Sequence, residues 1–276
     1  MSALVDEAWV VAGGVAERLG VRITELSDVP SQHAAAELLR QVWGADSADQ
    51  LVNAGLMRAF GHSGNYVVGA YRGDDLIGAA VAFLGADHLH SHIAGVQPGG
   101  QGSGVGYAMK LHQRAWALDR NIDAVCWTYD PLVRRNAYFN LHKLGATATA
   151  YLPDFYGLMD DGINTGDVSD RVYVRWALTS PAVVAAAEGH GVAVDPAGGT
   201  VVLGRSDGGA PVPAAAGGRR LLIAVPADVE ALRRTDPDLT GRWRYAVRAA
   251  MIEALDRGYR IAGITKDGWY VLEAHL

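Results

Sequence analysis

A glycine-rich turn between a predicted strand and a predicted helix constrains this chain more than any other segment. Glycines occupy every second position from Gly100 to Gly106, directly after the alternating apolar strand expected over residues 88–96. A helix is expected to follow from Tyr107 to Arg120. Such a strand–turn–helix unit leaves backbone N–H groups free at a helix N-terminus, where the helix dipole also favours negative charge. The pattern predicts an anion site, and a phosphorylated cofactor is the expected ligand.

The composition is that of a globular protein without a nucleic-acid or membrane partner. Of its 276 residues, 50% are hydrophobic and 20% are charged. The net charge is -6, and no segment of the sequence is a block of basic residues. No apolar run approaches the ~18 residues of a membrane helix. The N-terminal residues lack the basic start and apolar core of a signal peptide, so the cytoplasm is the expected location. The single cysteine, Cys126, excludes an internal disulfide and is expected to be a buried apolar residue.

The order of the predicted elements indicates the α/β class with a mixed sheet. Helices come first, then an antiparallel strand pair around a turn at residues 72–75, then one parallel strand–helix–strand crossover. After Ser180 the chain becomes rich in glycine and proline, which favours a linker. We therefore expect a first domain over 1–180, a linker or loop over 181–219, and a small C-terminal α/β domain over 220–276.

The glycine spacing excludes two common phosphate-binding loops. A dinucleotide fingerprint needs glycines at offsets 0, 2 and 5, and the third position falls on Val105, Tyr107 or Met109 in the available registers. A Walker-type loop ends in Gly-Lys-Ser/Thr, which is absent from the sequence here. The turn is therefore not expected to bind a nicotinamide dinucleotide or a nucleoside triphosphate.

The segment Gln101-x-x-Gly104-x-Gly106 resembles the pyrophosphate-binding motif of the GNAT superfamily of acyl-CoA N-acyltransferases. In that family the motif follows the fourth strand and opens the third helix. Downstream, the stretches 127–132, 135–140 and 151–157 resemble one GNAT group whose members are about this long and carry an extra C-terminal region. The resemblance is good over residues 21–180. It implies the GNAT fold, a central mixed sheet flanked by helices, with a small C-terminal α/β domain added.

The resemblance implies an acyl-CoA as co-substrate, no metal, and direct transfer of an acetyl group to the amine of a small molecule such as an amino acid. A succinyl-type acyl group, a homodimer and a non-catalytic acyl-CoA-sensing module are alternatives that stay open. The Val96 N–H is expected to stabilise the oxyanion of the reacting thioester. The residues expected to contact coenzyme A are Gly95, Val96, Gln101, Gly102, Ser103, Gly104, Val105, Gly106, Asn136 and Tyr138.

Three histidines alternate along the predicted strand, at His88, His90 and His92, and should share one face. Histidine titrates near neutral pH, so it can take a proton from the attacking amine. Some GNAT members carry a glutamate eleven residues before the motif, at the position of His90, which makes His90 the candidate base and His92 the second. Two alternatives stay open: the histidines take no part in proton transfer, or two of them bind zinc. For zinc, Asp87 is the one nearby residue that could add a ligand, and it points to the other face of the strand.

The chain departs from the family at the tyrosine that many members use as general acid, because Leu141 stands there. Water, Tyr138 or another group must then protonate the leaving thiolate. Asn136 is expected either to contact the cofactor or to cap its helix.

Several other residues have both a structural and a functional interpretation. Asp130 precedes Pro131 and is expected to be a turn residue or a contact to the substrate amine. Trp127 lies beside the expected acyl pocket and is a candidate for shaping it. Three arginines could bind a substrate carboxylate or be structural: Arg58, Arg134 and Arg135.

Overall fold

The computed structural model describes residues 2–100, 102–157, 159, 167–214 and 217–274, and its contacts divide the chain into two compact units. The described residues up to Trp127 form the first unit, and those from Thr128 onward form the second. This division falls inside the domain that the sequence predicts over 1–180. Within the described residues, no helix is both long and apolar enough to cross a membrane.

The first unit is built on a mixed sheet with the strand order β1-β2-β3-β4-β5. Its strands are Arg22–Glu25 (β1), Tyr66–Arg72 (β2), Asp75–Leu84 (β3), Leu89–Val96 (β4) and Ala124–Tyr129 (β5). Its helices are Ser2–Arg18 (α1), Val29–Trp43 (α2), Ala54–His62 (α3) and Val105–Asp119 (α4), and a 3₁₀ turn spans Ala48–Gln50. Strands β1 to β4 pair antiparallel and β5 joins β4 in parallel, which confirms the predicted crossover.

Helices cover both faces of this sheet. Leu39 of α2 and Met57 of α3 belong to a buried cluster that includes Val81 and Ile93 of the sheet. On the opposite face, α4 approaches so closely that a Cβ added to Gly78 would lie 3.0 Å from the Met109 sulfur. Helix α1 packs against α4. The predicted architecture, a mixed sheet flanked by helices, is confirmed.

Strand β4 is irregular at His92. Ile93 pairs with Val81 while Ser91 pairs with Ala82, so β4 contains one residue more than β3 at this point. A β-bulge of this kind bends a strand and changes which side chains face each side. On its other edge, β4 pairs with β5 only at Leu89↔Val125 and His90↔Cys126. The described part of the first unit therefore leaves that edge of β4 without a neighbouring strand from Ser91 to Val96.

The second unit combines an antiparallel strand pair with a five-stranded sheet. The pair is Thr147–Leu152 (β6) and Arg171–Ala177 (β7). The sheet consists of Thr200–Arg205 (β8), Pro211–Pro213 (β9), Arg220–Ala224 (β10), Tyr259–Ile264 (β11) and Trp269–Ala274 (β12), in the order β11-β12-β10-β8-β9. The helices are Arg134–Tyr138 (α5), Pro181–Ala187 (α6), Val229–Thr235 (α7) and Pro237–Asp256 (α8).

Two segments of the second unit differ from their predicted structure. The helix predicted from Asn136 to Leu144 is the short α5, which continues as a π-helical turn over Phe139–Lys143. The segment 181–219, for which the composition favours a linker, contains α6, β8 and β9. In β8 only Val202 and Leu203 are buried, and an apolar stretch that short is hard to recognise as a strand among glycines and prolines.

Candidate active site

The glycine turn adopts a backbone conformation that favours glycine. Gly99, Gly102 and Gly104 have φ angles of 85°, 81° and 88°, in the left-handed region where a Cβ is strained. Gly104 is the N-cap of α4, and a Cβ added to it would lie 3.2 Å from the Leu19 side chain. These glycines let the chain reverse directly from strand into helix, which places the N-terminus of α4 beside the end of β4.

Backbone amides of this turn are available to a ligand. Those of Gly102 and Gly106 find no acceptor among the described residues. The Ser103 hydroxyl donates to the Gly100 carbonyl at 2.6 Å and accepts only a long contact, 3.5 Å, from the Val105 amide. Unsatisfied first-turn amides at a helix N-terminus form an anion site.

The described residues leave space around the α-carbons of Gly102 and Gly106. Nothing lies within 4 Å of a Cβ added to Gly102, and the nearest atom to one added to Gly106 is Cγ2 of Val96, at 3.9 Å. Val105 is buried and anchors the first turn of α4. Gln101, the first residue of the motif, lies outside the described residues.

The alternation of β4 decides which of its amides face the open edge. The Gln97 amide donates to the Ile77 carbonyl of β3 at 2.9 Å. Successive amides of a strand point to opposite edges. The Gly95 amide therefore faces β3, and the Val96 amide faces the other edge of β4, which β5 does not pair with at this point. The Val96 N–H group is therefore available as a donor to a ligand that lies along this edge of β4.

The three histidines gather beside Phe83 of β3. Ring centroids of His90 and His92 lie 4.9 and 5.7 Å from that of Phe83, and the spacings His88–His90 and His90–His92 are both 6.2 Å. Nδ1 of His88 contacts the Asp87 carboxylate at 2.8 Å. The predicted shared face is thus reproduced, although the bulge at His92 interrupts the regular alternation.

Burial, with a smaller contribution from the neighbouring His92, lowers the pKa of His90 to about 4. Burial also lowers the pKa of His92. Both imidazoles are therefore neutral at neutral pH and have a nitrogen free of a proton, which is the form that accepts one. The described residues contain no group of three metal-ligating side chains.

Lys110 of α4 is a partly buried cation that the sequence pattern does not reveal. Its Nζ donates to Ser91 Oγ and Gln113 Oε1, both at 2.9 Å, and lies 3.8 Å from the centre of the Trp127 ring. Withdrawal from water lowers its pKa to about 7. Ser91 and Trp127 directly follow the last paired residues of β4 and β5, so the amino group lies where these strands separate.

Asn136 and Tyr138 lie on α5 of the second unit. Asn136 is exposed within the helix, whose N-cap is Val133, so the capping alternative for Asn136 is wrong. The Tyr138 ring stacks on His142 with centroids 4.3 Å apart. Leu141, at the family's tyrosine position, is buried and offers no proton.

Asp130 belongs to a buried ion-pair network of the second unit. The Arg244 guanidinium donates to both Asp130 oxygens, at 2.7 and 2.8 Å, and to Asp167 at 2.6 Å. Arg233 also contacts both carboxylates. Burial alone would raise the pKa of Asp130, but Arg244 and Arg233 hold it well below its usual range. Asp130 also accepts the Leu132 amide in a turn, so the turn interpretation is confirmed and a contact to the substrate amine is not available.

The three candidate arginines have partners in the protein. Arg58 bonds to the Ser27 carbonyl, Arg134 to the Asp267 carbonyl, and Arg135 to the Glu230 carboxylate. The structural interpretation therefore suffices for each of them. Cys126 and Trp127 are buried, as expected for Cys126.

No protein-family model and no curated protein matches this sequence. Solved structures similar to the chain include the ribosomal-protein-S18-alanine N-acetyltransferase of Escherichia coli, at 13% identity over 58% of this chain and 95% of that one, with a TM-score of 0.45. A GNAT family acetyltransferase of Elizabethkingia anophelis with acetyl-CoA bound is 13% identical over 57% and 98%, with a TM-score of 0.45. Aminoglycoside 6'-acetyltransferase type Ii is 17% identical over 58% and 98%, with a TM-score of 0.46.

The first unit has the strand order that the resemblance implies, but the glycine turn opens the fourth helix rather than the expected third, because α1 precedes β1. Four antiparallel strands precede a glycine turn, the turn opens α4, and α4 leads into the parallel strand β5. The predicted α/β architecture, a mixed sheet with one parallel crossover, is confirmed by this topology.

Proposed function

We propose that this chain is an acyl-CoA-dependent N-acyltransferase of the GNAT type, which moves an acyl group directly to the amine of a small molecule such as an amino acid. The observation that supports this most is the open edge of β4. This edge begins after His90, where the pairing of β4 with β5 ends. It leads to the glycine turn, whose amides lie unsatisfied at a helix N-terminus. An extended ligand with an anionic end fits such an edge.

Coenzyme A has the matching parts. Its pyrophosphate would bind to the amides between Gly102 and Gly106, supported by the α4 dipole. Its pantetheine arm carries amide groups and would pair with the backbone of β4 as an added strand does. Gln101, Asn136 and Tyr138 complete the proposed cofactor contacts.

The transfer proceeds by attack of the neutral amine on the thioester carbon. The Val96 N–H would donate to the carbonyl oxygen as it becomes an oxyanion. His90, six residues earlier in the chain, would accept the proton that the amine loses by relay through water molecules along β4. The C–N bond forms, the C–S bond breaks, and coenzyme A leaves as a thiolate that takes a proton from water or Tyr138, because Leu141 cannot supply one. Most of the acceleration comes from holding thioester and amine together.

A thiol-release assay tests the proposal. Acetyl-CoA and succinyl-CoA are each offered with a panel of amino acids and small amines, and released coenzyme A is measured against amine-free blanks. Amine-dependent release is expected for at least one acceptor. Tight coenzyme A binding without release for any acceptor would instead favour the acyl-CoA-sensing alternative, and absence of both would refute each of them.

Replacing His90 with glutamine should lower kcat/KM by about 10²–10⁴-fold, because the attacking amine loses its general base. Coenzyme A affinity should hardly change, since His90 lies beside Phe83 and away from the glycine turn. The matched control is His88→Gln, because His88 lies in the same series of alternating histidines, and this variant should retain activity. Equal losses in both variants would contradict the assignment of the base to His90.

The pH dependence gives an independent check on His90. Its pKa lies at about 4 rather than at its ordinary value of 6.5, so it stays unprotonated, and able to accept a proton, down to about pH 4. With an acceptor whose amine is already neutral over this range, such as an aniline, kcat/KM should stay flat from pH 8 downward and fall as the pH approaches about 4, where His90 becomes protonated. A loss of rate centred near pH 6.5 would indicate a different base.

A further inference from the structure

We propose that the amino group of Lys110 is a spacer that ends the pairing of β4 with β5 after His90 and so keeps the edge of β4 open for the cofactor. This inference rests on the proposed function. It makes Lys110 a positioning residue, because the side chain acts on the ligand through the two strands and does not touch it.

The contacts of Lys110 lie at the first pair that is missing between β4 and β5. The last observed pair is His90↔Cys126, so a ladder continued in register would next pair Ser91 with Trp127. Nζ of Lys110 contacts both of these side chains, at 2.9 Å from Ser91 Oγ and 3.8 Å from the centre of the Trp127 ring. Paired strands lie about 4.8 Å apart, which brings side chains on one face into direct contact. Here both side chains contact an amino group instead.

The surroundings of this amino group match its three N–H donors. Ser91 Oγ and Gln113 Oε1 each accept at 2.9 Å, and the face of the Trp127 ring attracts the positive charge. These three partners belong to β4, α4 and β5 in turn. One nitrogen atom therefore fixes the spacing of the two strands relative to the helix that begins at the glycine turn.

The charge of Lys110 lowers the stability of the fold. Among the described residues no carboxylate pairs with it, and withdrawal from water lowers its pKa from 10.5 to about 7. The unfolded chain holds this proton more tightly than the folded one, so Lys110 opposes folding at every pH below 10.5. Buried charges of this kind are typical of functional positions, and the open edge of β4 supplies a function for this one.

Hydrogen exchange of Lys110→Met tests the spacer directly. Methionine has the length of the lysine stem and lacks only the terminal nitrogen. Without that nitrogen, Ser91 and Trp127 should pair, and at least one amide in the segment 91–96 should exchange at least about tenfold more slowly. Mass spectrometry of short peptides from the exchanged protein measures this rate. A lysine that merely supports the fold would give the opposite result, faster exchange.

Coenzyme A binding and kinetics give a second readout. In Lys110→Met the affinity for free coenzyme A should fall at least about tenfold by isothermal titration. The KM for acyl-CoA should rise by a similar factor while kcat falls less than about threefold, because the edge must reopen before binding and not during the chemistry. The thermal unfolding midpoint should be unchanged or higher. The control Lys266→Met, at an exposed lysine, should leave every one of these quantities unchanged.

The outcomes separate this inference from the proposed function. Unchanged exchange in Lys110→Met would show that the β-bulge at His92 opens the edge without the lysine, and faster exchange with a lower unfolding midpoint would refute the spacer as well. Slower exchange with unchanged affinity would refute the link to the cofactor. In these cases coenzyme A binding by the wild type still stands. If the wild type binds no coenzyme A, the proposed function fails, whereas the exchange measurement still decides whether Lys110 separates the strands.

Discussion

Replacing Gly106 with aspartate is expected to weaken coenzyme A binding at least about 100-fold, or roughly 2.8 kcal/mol, without loss of stability. Gly106 is the second residue of α4, and an added Cβ meets no atom closer than 3.9 Å. A carboxylate in a first turn stabilises a helix by about 0.3–1 kcal/mol, so the fold should tolerate it. The same charge lies against the proposed pyrophosphate, and two like charges about 4 Å apart near a surface repel by about 4 kcal/mol.

Two substitutions at the same position isolate the charge. Gly106→Ala should keep most of the affinity, because its Cβ would be uncharged and would meet no described atom closer than 3.9 Å. Gly106→Asn has the size of aspartate without its charge, so it should bind at least tenfold more tightly than Gly106→Asp, with a gap that narrows as ionic strength rises. Isothermal titration measures affinity and thermal unfolding measures stability. Equal affinities of the Asp and Asn variants would show that no anion binds at this turn.

Replacing Arg244 with methionine is expected to destabilise the second unit by about 3–5 kcal/mol. Arg244 is fully buried and donates to both Asp130 and Asp167. Methionine fills similar space but leaves two buried carboxylates with Arg233 as their remaining partner in the network. Urea unfolding followed by tryptophan fluorescence measures the loss, since Trp243 is buried one residue away.

The control lies on the same helix. Arg242 is exposed, and Arg242→Met should change the free energy of unfolding by no more than about 0.5 kcal/mol. Adding Asp167→Asn to Arg244→Met should restore part of the stability, because Arg233 is then paired with the single remaining carboxylate of Asp130. A free energy of unfolding within 1 kcal/mol of wild type for Arg244→Met alone would mean that the network contributes little.

The elements around the glycine turn could be predicted because each carries a strong local signal. β4 begins at Leu89, one residue after the predicted start, and ends at Val96 as predicted. α4 begins at Val105, two residues before the predicted start, because Gly104 already serves as its N-cap. Glycine spacing, which reports backbone conformation directly, predicted the tight turn before α4, where Gly102 and Gly104 have positive φ angles. Local signals of this kind do not depend on distant parts of the chain.

What could not be predicted depends on neighbours in space. The bulge at His92 appears only in the pairing of β4 with β3, since the alternation of histidines runs through it unchanged. Lys110 matters because Ser91 and Trp127 surround it, and neither is near it in sequence. Arg244 lies on a helix, and arginine is rarely buried. The apolar periodicity of the helix therefore does not identify Arg244 as a buried residue.

The pairing of Asp130 with Arg244 also has a consequence for the order of folding. The two residues are 114 positions apart, so during synthesis the carboxylate emerges long before the guanidinium that neutralises it. Closing so long a loop adds little to the entropic cost but slows folding, because distant contacts form late. The strands and helices of the first unit can form as the chain emerges, whereas the second must wait for α8. Slow translation or early pausing before α8 would therefore expose the second unit, and not the first, to proteases and chaperones.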